Sequence, residues 1–315
     1  MTDGVHIRTG IIPQIKIRSL DGILEPICQE IRTINFPRES ITTACIAIED
    51  HNVVHKDPEI AGEFGFFRNV PTGNGEYNKV PDTPLVGTAQ TAAFGERFAT
   101  EKLAQISEAV KHPALISHWD IRMPHGAYPD ESIEYKVTPK TSKNTLESLQ
   151  VTGSTNGDAV VKLIGTVSEV YSSPPDPSAE HKFQYPYPLF QKRISRFYQG
   201  ANIKPTPEVA NMHIAGYITS AILELIRVKT LERKGSNLRM RFDVIKQATP
   251  EVPVEVFVYP YEGMAHQKRG LWIYNMPAVA KQDDKPIMFG QLRCGTEQYL
   301  NNNFDVAEPP KPTNN

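Results

Sequence analysis

The sequence predicts an α+β protein of two similar units, each an antiparallel sheet wrapped around one central helix. Three observations carry that expectation: a long helical run occurs twice, each is followed by about four β-leaning runs, and a proline-rich stretch separates the two sets. A helix that is apolar on nearly every side must be enclosed, and an antiparallel meander is the element at hand to enclose it. At 315 residues the chain has room for two such units, since a domain takes about 100–200 residues.

In the first unit, Leu85 to Val110 (LVGTAQTAAFGERFATEKLAQISEAV) is rich in Ala, Glu, Lys and Leu and predicts one long helix or two joined ones. ISHWDIRM, AYPDESIEYKVTP, LQVTGSTNG and AVVKLIGTVSEV follow as β-leaning runs separated by proline or glycine turns. In the second, His213 to Thr230 (HIAGYITSAILELIRVKT) is apolar almost all round and predicts a buried helix. LRMRFDVI, ATPEVPVEVFVYP, LWIYNMP and IMFGQLRC follow it. Between the sets runs SSPPDPSAEHKFQYPYP, Ser172 to Pro188, whose composition favours an extended connector. The units are therefore expected at 1–171 and 189–306, with 172–188 as the linker and 307–315 (AEPPKPTNN) as a disordered tail.

The two sets align. Trp119-Asp120-Ile121 lies over Phe242-Asp243-Val244, AYPDESIEYKV lies over ATPEVPVEVFV, and Gly87 and Gly216 both fall in the opening turn of the long helix. An internal duplication is the expectation. A helix gripped by its own antiparallel sheet is the hot-dog fold, and two in one chain, sharing a continuous sheet, make a double hot-dog.

Charge narrows the partners. The net charge of −2 from 34 basic and 36 acidic side chains argues against a dedicated nucleic-acid binder, for which a domain pI above about 9 is the footprint. That total is a cancellation. Residues 1–180 carry 16 Lys/Arg against 24 Asp/Glu, 181–246 carry 12 against 4, and 247–315 carry 6 against 8. The basic stretch, including Lys192, Arg193, Arg196, Arg233, Lys234, Arg239 and Arg241, is as readily a solvated face as a docking surface for an acidic partner. Three scattered cysteines, Cys28, Cys45 and Cys294, suggest neither a disulfide framework nor a thiolate metal site. With neither a signal pattern nor a run of about 18 apolar residues, a cytoplasmic protein without membrane segments is expected.

The chemistry concentrates in IEDHNVVHKDPEIA, which places two histidines, two carboxylates and an amide between Asp50 and Asp57, ahead of the first long helix. Three readings are open. His51 and His55 stand at i and i+4 as a metal pair would, but HNVVH lacks the glutamate of H-E-x-x-H and no third ligand is evident, so no metal is expected. The second reading is a solvated loop whose Asp and Asn turn the chain. Third, Asp50 and His55 can form a general acid/base pair, because histidine titrates near neutrality unperturbed.

The segment resembles the signature of the MaoC-like (R)-specific enoyl hydratases and 3-hydroxyacyl-thioester dehydratases, G-D-x-N-P-x-H-x-D followed by a short helix and Gly-Phe. Asp50, Asn52, His55 and Asp57 fall at the matching positions, Pro58-Glu59-Ile60-Ala61 and Phe64-Gly65-Phe66 continue the pattern, and Pro84-Leu85-Val86-Gly87-Thr88 is similar to the family's P-I-x-H-G-M run. Glu49 replaces the glycine before the aspartate, Val53 replaces the proline, and an insertion around Thr72 to Asn78 separates the signature from the central helix. The segment before the second long helix has no D-x-N-x-x-H, so one site per chain is expected.

The resemblance implies a hydro-lyase that interconverts 3-hydroxyacyl and 2-enoyl thioesters of coenzyme A or acyl carrier protein without a cofactor. Asp50 and His55 would be catalytic, and Asn52, Gly87 and Thr88 would bind substrate, with the helix start near Gly87 polarising the thioester oxygen. Two alternatives are a non-catalytic acyl-thioester-binding or assembly partner and a hot-dog thioesterase. Either a monomer that is a pseudo-dimer or a homodimer would fit.

Overall fold

Alternating burial shows how the sheet is written into the chain. Along Ser132–Ser142, Ile133, Tyr135 and Val137 are buried while Glu134 and Lys136 are exposed, the period-2 pattern of a strand with one wet face. The computed structural model describes residues 15–16 and 22–309, apart from 64, 144, 175–179, 231–234, 263, 264 and 269. Phe64, Arg233, Lys234, part of the 172–188 connector and most of the 307–315 tail lie outside the described residues.

The first half runs β1 (Ile31–Asn35), α1 (Glu39–Ile48), a hairpin of β2 (Phe67–Pro71) and β3 (Tyr77–Pro81), α2 (Ala93–Val110), then β4 (Leu115–Arg122), β5 (Ser132–Ser142), β6 (Thr145–Thr155) and β7 (Asp158–Ser168). The second runs β8 (Phe183–Tyr187), α3 (Gln191–Gly200), α4 (Asn211–Thr230), β9 (Gly235–Val244), β10 (Val254–Val258), β11 (Leu271–Gln282) and β12 (Lys285–Thr296). The main strands form one antiparallel sheet in the order β1-β5-β6-β7-β4-β9-β12-β11-β10-β8. Counted outward from the β4–β9 seam, each half repeats the same order of its own strands. The hairpin forms a separate two-stranded sheet.

This is the expected α+β double hot-dog. Helix α2 packs on β4 to β7 and α4 packs on β9 to β12. Every residue of α4 from Met212 to Ile222 is buried, which is why its sequence is apolar all round. At the seam the two halves meet through the segments that align in the sequence, Trp119 opposite Phe242 and Asp120 opposite Arg241. Trp119 and Phe242 are both buried, so the hydrophobic core continues from one half into the other.

Two expectations change. The proline-rich 172–188 stretch ends in a strand, β8, which pairs along β10 with Pro186 opposite Glu255. As an outermost strand it needs bonds on one side only, so its proline is tolerated. Gly216 is not in the opening turn of its helix; it is the sixth residue of α4, where a Cβ would lie 2.6 Å from Ile48 Cγ2. Gly87, by contrast, precedes α2. In the tail, the Ala307 N–H donates to Tyr299 O at 3.0 Å.

Candidate active site

Helix α1 delivers Asp50. The helix ends in a Schellman-type cap, with Glu49 left-handed at φ 55° and the Asp50 N–H donating to Cys45 O at 2.9 Å. A left-handed residue at this point favours glycine, which accounts for the glycine of the signature that Glu49 replaces. Arg193 of α3 forms an ion pair with the Glu49 carboxylate, so the second half holds the turn that carries Asp50.

Two nested turns then bring His55 back to Asp50. Asp50 Oδ1 accepts the Asn52 N–H at 2.9 Å, Asn52 Oδ1 accepts the Val54 N–H at 3.3 Å, and Asn52 O accepts the His55 N–H at 3.2 Å. The first two are Asx-type bonds, in which the side chain substitutes for a backbone acceptor. The result sets His55 Nε2 3.5 Å from Asp50 Oδ2, with both side chains 11% exposed. Asp57 does not join them; its Oδ1 caps the helix Pro58–Glu63 through the Glu59 and Ile60 N–H groups at 2.9 and 3.2 Å. The side-chain oxygen of Asn52, a residue expected to bind substrate, is likewise engaged in building the turn.

The other face of the imidazole fixes its tautomer. His55 Nδ1 lies 2.8 Å from Pro84 O. A carbonyl only accepts, so Nδ1 carries a proton, which leaves Nε2 as the ring nitrogen that faces Asp50 and can exchange a proton. The 3.5 Å gap is too long for a direct hydrogen bond between the two groups.

Pro84 lies three residues before Gly87, at the start of the central helix. A π-type turn, Thr88–Ala92, opens that helix, with the Ala92 N–H donating to Gly87 O at 2.8 Å. Gln90 braces the entry from within, accepting the Val86 N–H at 2.9 Å and donating to Ser40 Oγ at 2.7 Å. The N–H groups of Gly87 and Thr88 belong to the first turn, which has no intrahelical acceptors and carries the positive end of the helix dipole. Thr88 is buried. Gly87 has an ordinary helical φ of −53°, so its lack of a side chain serves space: a Cβ there would come within 2.0 Å of Met123 Sδ.

The start of the second central helix is closed differently. Glu96 of α2 is buried and accepts the Asn211 and Met212 N–H groups at 3.1 and 2.9 Å. Its carboxylate thus occupies the first-turn donors of α4. A cavity of about 330 Å³ beside it is lined by Glu96, Arg97, Tyr198, Thr206, Asn211 and Gln247 among others. Desolvation pushes the Glu96 carboxyl up to about 7, against the opposing pull of the Met212 and Asn211 bonds and of Arg97.

Sequence reasoning placed Asp50 and His55 together, and the fold does so. It singled out Pro84 only as the start of the helix-entry run and missed its role, which acts through a backbone carbonyl that no side-chain pattern reveals, and it missed Glu96, whose signal is a lone acid on a helix face shared with Ala93, Ala99 and Leu103. The basic stretch is partly spent inside the molecule. Arg193 pairs with Glu49, and Arg239 grips Asp120 through two nitrogens. Among the described residues no cluster of His, Cys, Asp or Glu could hold a metal ion, and no helix is long and apolar enough to cross a membrane.

The chain matches no protein-family description and no curated protein. Solved structures do resemble it. A MaoC-like dehydratase from Phytophthora capsici superposes with a TM-score of 0.50 at 13% identity, covering 87% of this chain and 97% of its own. A MaoC domain protein from Chloroflexus aurantiacus gives 0.56 at 8% identity over 94% of this chain and 99% of its own. A Mycobacterium tuberculosis protein described as having a double hotdog fold gives 0.50 at 8% identity over 84% and 95%. At such identities the likeness is one of architecture, and the chain is a double hot-dog protein built on the fold of the MaoC-like dehydratases.

Proposed function

We propose that the protein is a hydro-lyase that reversibly hydrates a 2-enoyl thioester to the 3-hydroxyacyl thioester, with Asp50 and His55 as its acid/base pair. One observation carries the reading: His55, its Nδ1 proton committed to Pro84 O, presents Nε2 to Asp50 Oδ2 across 3.5 Å in a largely buried turn. One water can donate a hydrogen bond to each of the two groups at that spacing. In hydration its oxygen bonds to the β-carbon while the pair removes one of its protons, and the pair returns a proton to the α-carbon on the same face. The sum is addition of one water, and the pair ends as it began. Dehydration is the reverse.

Negative charge that develops on the thioester oxygen needs fixed donors, and the first-turn N–H groups at Gly87 and Thr88 supply that polarity. The fold and the spacing of Asp50, Asn52 and His55 support this reading. We assign the site to the unit at 1–171, with 189–306 as a wall of the acyl pocket and coenzyme A or an acyl carrier protein as the thiol partner.

The test is to follow loss of the enone absorbance of crotonyl and longer enoyl thioesters with the wild-type protein, Asp50→Asn and His55→Ala. Each variant is expected to lose about 10²–10⁴-fold in kcat with its fold intact. Wild-type rates in both variants would sink the assignment. Release of free thiol without change in the enone would identify a thioesterase, and thermal stabilisation by thioesters without turnover would identify a binding protein.

A further inference from the structure

The proton on His55 Nδ1 stays where it is only while Pro84 O stays in place, so the residues that anchor Pro84 govern the base. Pro84 is tethered on both sides. Downstream, the Leu85 N–H donates to Ala127 O at 2.8 Å and the Val86 N–H to Gln90 Oε1 at 2.9 Å. Upstream stands Asp82, a buried carboxylate. Arg38 Nη1 and Nη2 donate to its two oxygens at 2.8 and 3.0 Å, and Arg38 Nη1 reaches Thr83 Oγ1 at 3.2 Å. The Thr83 N–H closes the corner on Asp82 Oδ1 at 2.8 Å. Arg68, on the inserted hairpin, adds a second cation 3.7 Å from Asp82 Oδ2.

The place of Arg38 gives this pair its meaning. Arg38 is the N-cap of α1, the helix whose far end delivers Asp50. The Arg38–Asp82 fork therefore joins the element that carries the acid to the segment whose carbonyl orients the base. A two-bond fork fixes both distance and angle, as a single ammonium contact would not. It also gives the inserted hairpin a purpose, because Arg68 and the chain leaving β3 converge on the same carboxylate.

We propose that Arg38 and Asp82 are positioning residues that set the tautomer and orientation of His55. The inference rests on Asp50 and His55 being the acid/base pair, but its first readout does not need turnover. In ¹⁵N-imidazole-labelled protein, with the His55 signal assigned by its loss in His55→Gln, the wild-type ring is expected to show a pyrrole-type Nδ1 and a pyridine-type Nε2 at high pH. Asp82→Asn keeps an acceptor for the Thr83 N–H but loses the charged fork. Its His55 is expected to populate both tautomers, and kcat on an enoyl thioester is expected to fall about 100-fold, the scale of a misplacement near 1 Å, with KM little changed.

Arg38→Gln should reproduce both effects and Arg38→Lys should recover part of each. Arg38→Gln also decides the matter if Asp82→Asn does not fold. A folded variant that keeps the wild-type tautomer and kcat overturns the proposal. If the wild-type protein turns over no enoyl thioester, the acid/base reading fails by itself, and the tautomer shift still decides whether the clasp orients His55.

Discussion

Glu96 makes an opposition visible at the scale of one residue. A carboxylate at a helix start is favoured by the dipole and by the free N–H groups, yet full burial strips it of water. Burial wins, and the carboxyl is pushed up to about 7 from its usual 4.5. The sign for stability follows. Between these values the unfolded chain sheds the proton more readily than the native one, so the stabilising contribution is complete below about 4.5 and is lost as pH rises toward 7. A shift of that size corresponds to about 3 kcal/mol. Thermal melts from pH 4.5 to 8 should therefore show a descending component in the wild type that Glu96→Gln lacks. An unchanged slope in the variant would mean that Glu96 is ionised throughout. The groups around it that bear on the measurement are Arg97, Tyr198 and Glu208, which line the same cavity. The same side chain fills the helix start in the second half, the place that the Gly87–Thr88 turn holds in the first.

The end of α1 shows how an element carries function, and it is testable as an element. Glu49 sits left-handed at φ 55° and is held by Arg193 from α3. Glu49→Ala loses the ion pair and keeps the backbone strain, whereas Glu49→Gly loses the pair and relieves the strain. Chemical denaturation should rank the glycine variant about 1 kcal/mol above the alanine variant; the reverse order would show that the turn relaxes when Arg193 lets go. How much of such detail was legible in the sequence depends on what the signal was. Strands such as β5 were plain because alternating burial leaves alternating letters, and α4 because enclosure leaves an apolar run. The helix α1, ESITTACIAI, was hidden by its β-branched residues, which weaken helix propensity and are overridden by packing against α3. Strand β8 was hidden by its proline, and the inserted hairpin by exposed side chains that alternate with nothing, Phe67, Val70, Tyr77 and Val80 among them. At the site, Asp50 and His55 could be paired from spacing, but Asn52 and Asp57 proved to be turn and cap builders, because their oxygens lie closest to backbone N–H groups two or three residues on.

At the scale of the whole molecule the question is whether two halves behave as two domains or as one. Their strand orders repeat outward from the seam, and the aligned triplets Trp119-Asp120-Ile121 and Phe242-Asp243-Val244 come from the two strands that meet there. One edge strand of each half thus closes the other, leaving no free edge at the junction. On one face of the seam, His118 Nδ1 lies 2.7 Å from Asp243 Oδ1, and Asp120 is gripped by Arg239, so each half bonds to an acid of the other. On the opposite face, Trp119 packs among Ile116 and Gly165 in a core that runs unbroken into the second half. Glu96 adds a third tie by capping α4 from α2. Independent domains joined by a linker would melt separately, but these ties put the cost of separating the halves into either half's unfolding. The expectation is one cooperative transition in denaturant, coincident by tryptophan fluorescence and far-ultraviolet circular dichroism. Trp119→Ala, a cavity at the seam, should shift the whole transition by about 3–5 kcal/mol, read by circular dichroism because only Trp272 of the second half then fluoresces. Two resolved transitions in the wild type, or a variant in which only part of the signal moves, would show that the halves unfold as separate bodies and that the shared sheet is an interface between domains.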